Sequence, residues 1–499
     1  MERWHIVTAV VIGYLAITLT IGLLAGRRTS RGVTGYVAAD RKFGVLPMYF
    51  IVGGTIFSAF AFLGGPGWAY SRGAAVFYIL SYGVLGIAPW YFMGPKAARI
   101  GRRLDIVTQA QLVTARFPSR ALSALMAVIA VAAFVPYVML QMTGAGLVFN
   151  VVTDGNAPFW LGAALAYGVV VLYILVGGAA AVGWTNVFEG AVMMVVAWGL
   201  GLYLPFKLYG GIGPMFEQIQ AVRPELLAMP GLAADGTSWS WGAYSSAILS
   251  SAIGFAVWPH LFMKAFTARS DAVLRRTVVL FPTFQLFLIP LILVGFAGVL
   301  FPTPPAQPDV VLPHMVLQTG LPALIVGLFC AGALAASMST GDALLHGAAS
   351  IAIEDGIHPF VQIDGRRRRI LMQVLVLAVG ALAFWLAVVK DFSLVWLLLS
   401  AYGLIDQLAP PIYAALYWRR ATTPGVIAGL VAGSATTVFF FLNPELRPFD
   451  IHEGIVGLVV NVAVLVAVSL LTTAQGREQV SVFVDSRTAP AREREPVLR

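Results

Sequence analysis

Residues 51–70 read Ile-Val-Gly-Gly-Thr-Ile-Phe-Ser-Ala-Phe-Ala-Phe-Leu-Gly-Gly-Pro-Gly-Trp-Ala-Tyr. The run is apolar enough for a bilayer, yet it carries Gly53-Gly54 and then Gly64-Gly65-Pro66-Gly67. An unbroken helix saturates its own backbone and leaves nothing to hold a solute, and Gly and Pro are the residues at which helices unwind. A second stretch has the same character, with Ser250-Ser251, Gly254 and Trp258-Pro259-His260. Any one glycine is better explained by close helix packing. The two stretches together predict a pair of broken helices whose freed carbonyls and half-helix ends meet near the membrane midplane.

Composition supports the membrane setting. Of the 499 residues, 59% are apolar and 11% charged, against about 25% charged in an ordinary soluble domain. Only the bilayer can serve as solvent for so much apolar surface. Cys330 is the sole cysteine, which excludes a disulfide framework and a cysteine metal site. The sequence reads as an all-α polytopic protein of about thirteen spans, near 5–26, 45–71, 75–97, 121–150, 157–178, 182–206, 241–265, 276–301, 320–350, 369–389, 392–417, 424–442 and 455–473. No small-residue cleavage site follows the first span, which is read as a retained helix. Counted from the second span, the broken segments are the first and sixth helices of two inverted five-helix repeats, about 45–206 and 241–417. Residues 1–474 form one transmembrane domain, and 475–499 form a mixed-charge tail expected to be cytosolic and largely disordered.

Charge placement sets the orientation. With the N-terminus outside, only Arg3, Arg72, Lys207, Arg223, Lys390 and Arg447 of the 32 basic residues lie outside. The inner segments hold Arg27, Arg28, Arg31, Arg41, Lys42, then Lys96, Arg99, Arg102, Arg103, Arg116, Arg120, then Lys264, Arg269, Arg275, Arg276. Arg366 to Arg369, Arg419, Arg420 and the tail arginines complete them. This asymmetry is the positive-inside pattern of a cell membrane protein. It accounts for the +9 charge without a nucleic-acid partner.

Several polar residues fall inside the spans. Ser339 and Thr340 are adjacent hydroxyls in a small-residue helix, with Ala336 one turn before Thr340. Hydroxyl and carbonyl oxygens suit a dehydrated hard cation, and carbonyls of Gly54, Phe57 and Ala336 would complete a five-oxygen cage. From spacing alone the simpler reading is that both hydroxyls bond back to a carbonyl one turn earlier. Asp342, Asp406 and Glu189 are candidates for gating or coupling, because a charge in hydrocarbon costs at least about 2.5–3.5 kcal/mol. Asp406 serves equally as a buried structural partner, and Glu189, near the start of its span, equally lies in the interface. Gly53, Ser58, Trp258 and His260 at the breaks, with Gln141 beside Pro136-Tyr137, are the candidate substrate contacts. His346 reads as a structural hydrogen-bonder. Nucleotide-binding, dinucleotide-binding and zinc-protease patterns are missing, so no enzyme activity and no cofactor is expected.

These residues resemble the sodium:solute symporter family. The resemblance rests on Ala-Asp-Arg-Lys-Phe-Gly (39–44), Phe-Leu-Gly-Gly-Pro-Gly-Trp-Ala-Tyr (62–70), Gly-Gly-Ala-Ala-Ala-Val-Gly-Trp-Thr-Asn (177–186) and Ala-Ala-Ser-Met-Ser-Thr-Gly-Asp (335–342). It implies a LeuT-type 5+5 inverted-repeat core and places the sodium site on Gly54, Phe57, Ala336, Ser339 and Thr340. In one place the chain departs from the pattern. Where the family usually has Thr-Asp and then Gln, this sequence has Thr185-Asn186 and then Glu189. The missing carboxylate implies a single coupling cation and electroneutral transport of a monovalent anion, unless Glu189 turns inward; it also leaves proton coupling open. Tyr-Gly-Gly-Ile-Gly-Pro-Met-Phe (209–216), Trp-Pro-His (258–260) and Phe-Thr-Ala-Arg (266–269) are similar to the bacterial monocarboxylate permease branch. The expected function is sodium-coupled import of a small organic acid such as lactate or pyruvate by alternating access. The alternatives are a symporter for an amino acid or pantothenate, a channel, which scattered polar residues disfavour, and a transporter-like sensor, for which the tail is short.

Overall fold

The computed structural model describes residues 3–27, 32–153, 155–389 and 394–485, with Trp396 described by its backbone only. Arg28, Arg31, Lys390 and the tail beyond Asp485, which entered the orientation reading, lie outside the described residues. The helices that build the site are α1 (Arg3–Gly26), α2 (Val45–Ile56), α3 (Gly65–Arg72), α4 (Phe77–Ile87), α5 (Arg120–Val152) and α6 (Phe159–Tyr209). They continue with α7 (Trp241–Val257), α8 (Pro259–Ala265), α9 (Asp271–Gln285), α10 (Ala323–Ile351) and α11 (Gly365–Val389). Last come α12 (Leu394–Asp406), α13 (Ala409–Tyr417), α14 (Thr423–Leu442), α15 (Glu453–Leu471) and α16 (Arg477–Val484).

Among the described residues eight helices are long and apolar enough to cross a membrane, or up to ten when each of two bent pairs is one span. That is fewer than the thirteen expected, and the difference comes from how helices are divided. α6 runs for 51 residues, about 76 Å at 1.5 Å per residue, against about 30 Å of hydrocarbon. It contains two of the expected spans, separated by Gly178 at φ 51°, ψ −138°. A Cβ there would lie 2.4 Å from the Tyr36 carbonyl oxygen, so the bend needs glycine for both space and backbone conformation. The expected spans 75–97 and 392–417 are each split into shorter helices that do not qualify alone.

Both expected breaks are present. α2 ends at Ile56, Phe57 is extended (φ −89°, ψ 90°), and a π-helical turn at Phe60–Gly64 leads into α3. The helix direction changes by 63° across this break. α7 and α8 meet at 45° around Trp258 alone (φ −52°, ψ 122°). Pro259 explains the second break, because its ring disfavours helical backbone in the residue before it while suiting a first helical position.

α10 is the central post. Every residue from Phe329 to Ile351 is buried, sheathed by α1, α2, α5 and α6. Its polar side chains therefore face protein on all sides. Small residues permit this approach, as at Gly332, where a Cβ would lie 2.8 Å from Val196. The described part of the tail departs from its expected disorder. Residues 477–484 form α16, which buries Val480 and Phe483 and bonds through Gln479 Nε2 to the Arg116 carbonyl at 3.2 Å. Lys96, Arg116 and Lys264, counted among inner charges, are themselves buried at 9%, 0% and 6% exposure.

Candidate functional site

The first break presents a carbonyl to α10. Ser339 Oγ donates to the Gly54 carbonyl at 2.8 Å and lies 3.3 Å from the Ala336 carbonyl. Thr340 Oγ1 donates to the same Gly54 oxygen at 3.2 Å. The back-bond to Ala336 is the longer of the two at Ser339, so α10 directs its hydroxyl pair chiefly at the broken helix. Four oxygens from Gly54, Ala336, Ser339 and Thr340 thus converge from two elements. Their spacing of 2.8–3.3 Å is slightly tighter than the ~3.3–3.7 Å between neighbouring ligands about a cation held at 2.3–2.6 Å. Phe57 sits in the break, and its ring packs on Phe281, Phe284 and Phe287 at 5.6, 5.8 and 5.0 Å, anchoring the unwound turn.

Gly53, named as a substrate contact, faces away: its position is packed by the Phe284 ring, 2.6 Å from a built Cβ. Ser58 and Gln141 hold the break together. Gln141 Oε1 accepts from the Ala59 amide at 3.0 Å, its Nε2 donates to the Tyr137 carbonyl at 3.3 Å, and Ser58 Oγ accepts from the Phe60 amide at 3.1 Å. The Ala59 and Phe60 amides at this break are therefore engaged by protein.

The second break is different. Trp258 Nε1, both ring nitrogens of His260 and Ser251 Oγ are buried without a hydrogen-bond partner. An unpaired buried polar group costs about 1–3 kcal/mol, and the three nitrogens of Trp258 and His260 at the break suit a polar ligand. Aromatic rings enclose them: Trp258 stacks on Phe134 at 5.9 Å and contacts Tyr137, Tyr402 and His260 at 5.1, 5.6 and 5.2 Å.

The intramembrane acids separate into two places. Tyr173 donates to Asp342 Oδ2 at 2.7 Å and Thr185 donates to the same atom at 3.2 Å. Glu189 is fully buried rather than interfacial, with the Tyr14 hydroxyl 3.5 Å from Oε1 and no partner for Oε2. Asn186 Nδ2 donates to Thr55 Oγ1 at 3.2 Å and its Oδ1 is buried without a partner, while its backbone carbonyl and Cβ pack at the Gly54 position. Asn186 therefore borders the candidate ion site, while Glu189 and Asp342 lie within electrostatic reach of each other. Asp406 lies apart, accepting from Ser250 of α7. Gln407 and Asn461 tie the same corner to α15, which favours a positioning role. His346 bonds the Tyr36 carbonyl at 2.9 Å, in keeping with a structural histidine.

Sequence reasoning missed Tyr14, Tyr173 and Lys264. The α1 residues were legible in part, since Val7, Val11, Tyr14, Thr18 and Gly22 recur at helical spacing and share the buried face. Lys264 carried no such signal: it sits at the inner end of a span, where a lysine ordinarily marks topology, yet it is buried within electrostatic reach of Asp342.

Known proteins with the same architecture share its length. The symporter YhjB of Bacillus subtilis (strain 168), itself uncharacterized, is 29% identical over 483 residues, covering 93% of this chain and 96% of that one. A monocarboxylate transport permease protein of Rhizobium johnstonii is 25% identical, covering 94% and 98%. The sodium/pantothenate symporter of Escherichia coli (strain K12) is 26% identical, covering 85% and 88%. Among solved structures, a Na+-coupled sialic acid symporter in a substrate-bound outward-open state superposes with a TM-score of 0.77 at 19% identity, covering 94% and 98%. Mhp1, a nucleobase-cation-symport-1 family transporter, gives 0.57 at 14% identity, covering 90% and 97%. The fold is therefore the LeuT-type one. Residues 36–433 match the sodium:solute symporter family. With most of its length matched, this chain belongs to that family: it is a sodium-coupled solute symporter, a multi-pass membrane protein and not an enzyme.

Proposed function

We propose that the protein imports small monocarboxylates, such as lactate or pyruvate, together with sodium by alternating access. Sodium is carried at Gly54, Phe57, Ala336, Ser339 and Thr340, and the two hydroxyls converging on the Gly54 carbonyl are the observation that carries this assignment. Inverted repeats at about 45–206 and 241–417 supply the two broken helices. The N-terminus is outside and the C-terminus in the cytosol of a cell whose plasma membrane holds the protein, as the basic residues suggest.

The second break supports the solute class. Trp258 Nε1 donates only, and His260 offers a donor and an acceptor when neutral. Together they suit a carboxylate and a neighbouring hydroxyl or keto oxygen, while Phe134 and Tyr137 receive a short apolar end. The Rhizobium johnstonii permease favours the same reading. In liposomes containing the purified protein, unlabelled lactate, pyruvate and propionate should each reduce labelled lactate uptake, and glucose should not. Competition by sugars alone contradicts the monocarboxylate reading, and competition by proline or pantothenate alone transfers the site to another solute.

A further inference from the structure

A pocket of about 200 Å³ opens beside the outer end of α3, lined among others by Trp68, Arg72, Trp239, Arg447, Asp450 and His452. Arg72 lies over the Trp68 ring, its Cζ 4.2 Å from the ring centroid. Stacking uses the face of a guanidinium and leaves its in-plane N–H donors for a carboxylate. Among the described residues no carboxylate forms an ion pair with Arg72; Asp309 and Asp235 act on it only at longer range. Arg447 is committed to Glu453 at 2.9 Å. His452 Nδ1 accepts from the Gly454 amide at 3.1 Å, which leaves Nε2 as the protonated nitrogen of the neutral ring. One strong anion donor, Arg72, is therefore free in an aromatic-walled pocket.

A row of packed rings joins the wall of the pocket to the second break. Ring contacts run from Trp68 to Tyr78 at 5.3 Å, Tyr78 to Tyr82 at 5.7 Å, Tyr82 to Tyr402 at 6.1 Å and Tyr402 to Trp258 at 5.6 Å. This line passes along α4 and α12 to the unpartnered donors of Trp258 and His260. We propose that the pocket is an outer carboxylate-binding site, in which Arg72 on Trp68 captures the anionic solute before it reaches the Trp258 break. The proposal builds on the monocarboxylate reading above and adds a place where the solute is concentrated. A fixed cation in a low-dielectric recess raises local anion concentration and the association rate, and salt weakens both.

Binding at this pocket is measurable without transport. In detergent-solubilised Trp258→Ala protein, sodium lactate and sodium acetate should change tryptophan fluorescence through Trp68 and Trp239, whereas sodium chloride should not. Adding Arg72→Gln should abolish the change, and Arg72→Lys should retain part of it. In transport, Arg72→Gln alone should raise the KM for lactate about tenfold at low ionic strength with kcat and sodium dependence kept, and the difference should shrink in high salt. No fluorescence response, a response equal for chloride, or one that survives Arg72→Gln overturns the outer site. An Arg72-dependent response in a protein that does not transport lactate upholds the outer site and defeats the monocarboxylate reading.

Discussion

Ser339→Ala or Thr340→Ala should raise the sodium concentration for half-maximal uptake by roughly 10- to 150-fold. The figure follows from losing one oxygen ligand of about five around a desolvated cation, comparable to a hydrogen bond to a charged group at about 1.5–3 kcal/mol. Both hydroxyls reach the Gly54 carbonyl, at 2.8 and 3.2 Å, so each removal weakens the same cluster. Alanine suits the helix interior, and α10 already carries many small residues, so expression and stability should change little. Thr340→Ser keeps the oxygen and should stay near wild type. A sodium titration of initial uptake rates is the readout. Wild-type sodium dependence in both alanine variants would place the ion elsewhere.

At a fixed sodium gradient, uptake should accelerate under an inside-negative potential, and Glu189→Gln should remove that sensitivity. The electroneutral expectation rested on Asn186 replacing a carboxylate, with an inward Glu189 as its exception. Glu189 is fully buried one turn along the same helix, and its Oε2 has no partner. An isolated buried carboxylate is heavily penalised, so a cation that accompanies it lowers its cost. We propose that Glu189 restores the charge missing at Asn186 and draws a second cation with the solute. One net charge moved through 100 mV is worth about 2.3 kcal/mol, enough for up to roughly fiftyfold greater accumulation. Potential-clamped liposomes measure this directly. Insensitive wild-type uptake would return the stoichiometry to one sodium per anion.

Some of this was legible in the chain and some was not, for physical reasons. The breaks were legible because Gly53-Gly54 and Trp258-Pro259 act locally, through backbone freedom and ring sterics that need no tertiary information. Direction was less so. Gly53 and Gly54 are neighbours, yet one packs on Phe284 and the other offers its carbonyl to α10. Spacing alone suggested back-bonding for Ser339 and Thr340, and the family resemblance pointed to the cross-helix arrangement. For Glu189 the sequence leaves a coupling role and an interfacial position equally open, because burial past the Gly178 bend is set by tertiary packing. Lys264 obeyed the positive-inside pattern in sequence while its side chain is enclosed by protein. In the tail, Val480 and Phe483 suffice to dock α16 although mixed charge dominates its composition.

The most direct test is labelled lactate uptake into liposomes containing the purified protein, with sodium and proton gradients imposed separately. Saturable uptake should follow the inward sodium gradient, persist with no proton gradient, and lose its sodium dependence at working concentrations in the Ser339→Ala, Thr340→Ala double variant. Uptake driven by a proton gradient and indifferent to sodium, in wild type and variant alike, would contradict a sodium site built on Gly54, Ser339 and Thr340.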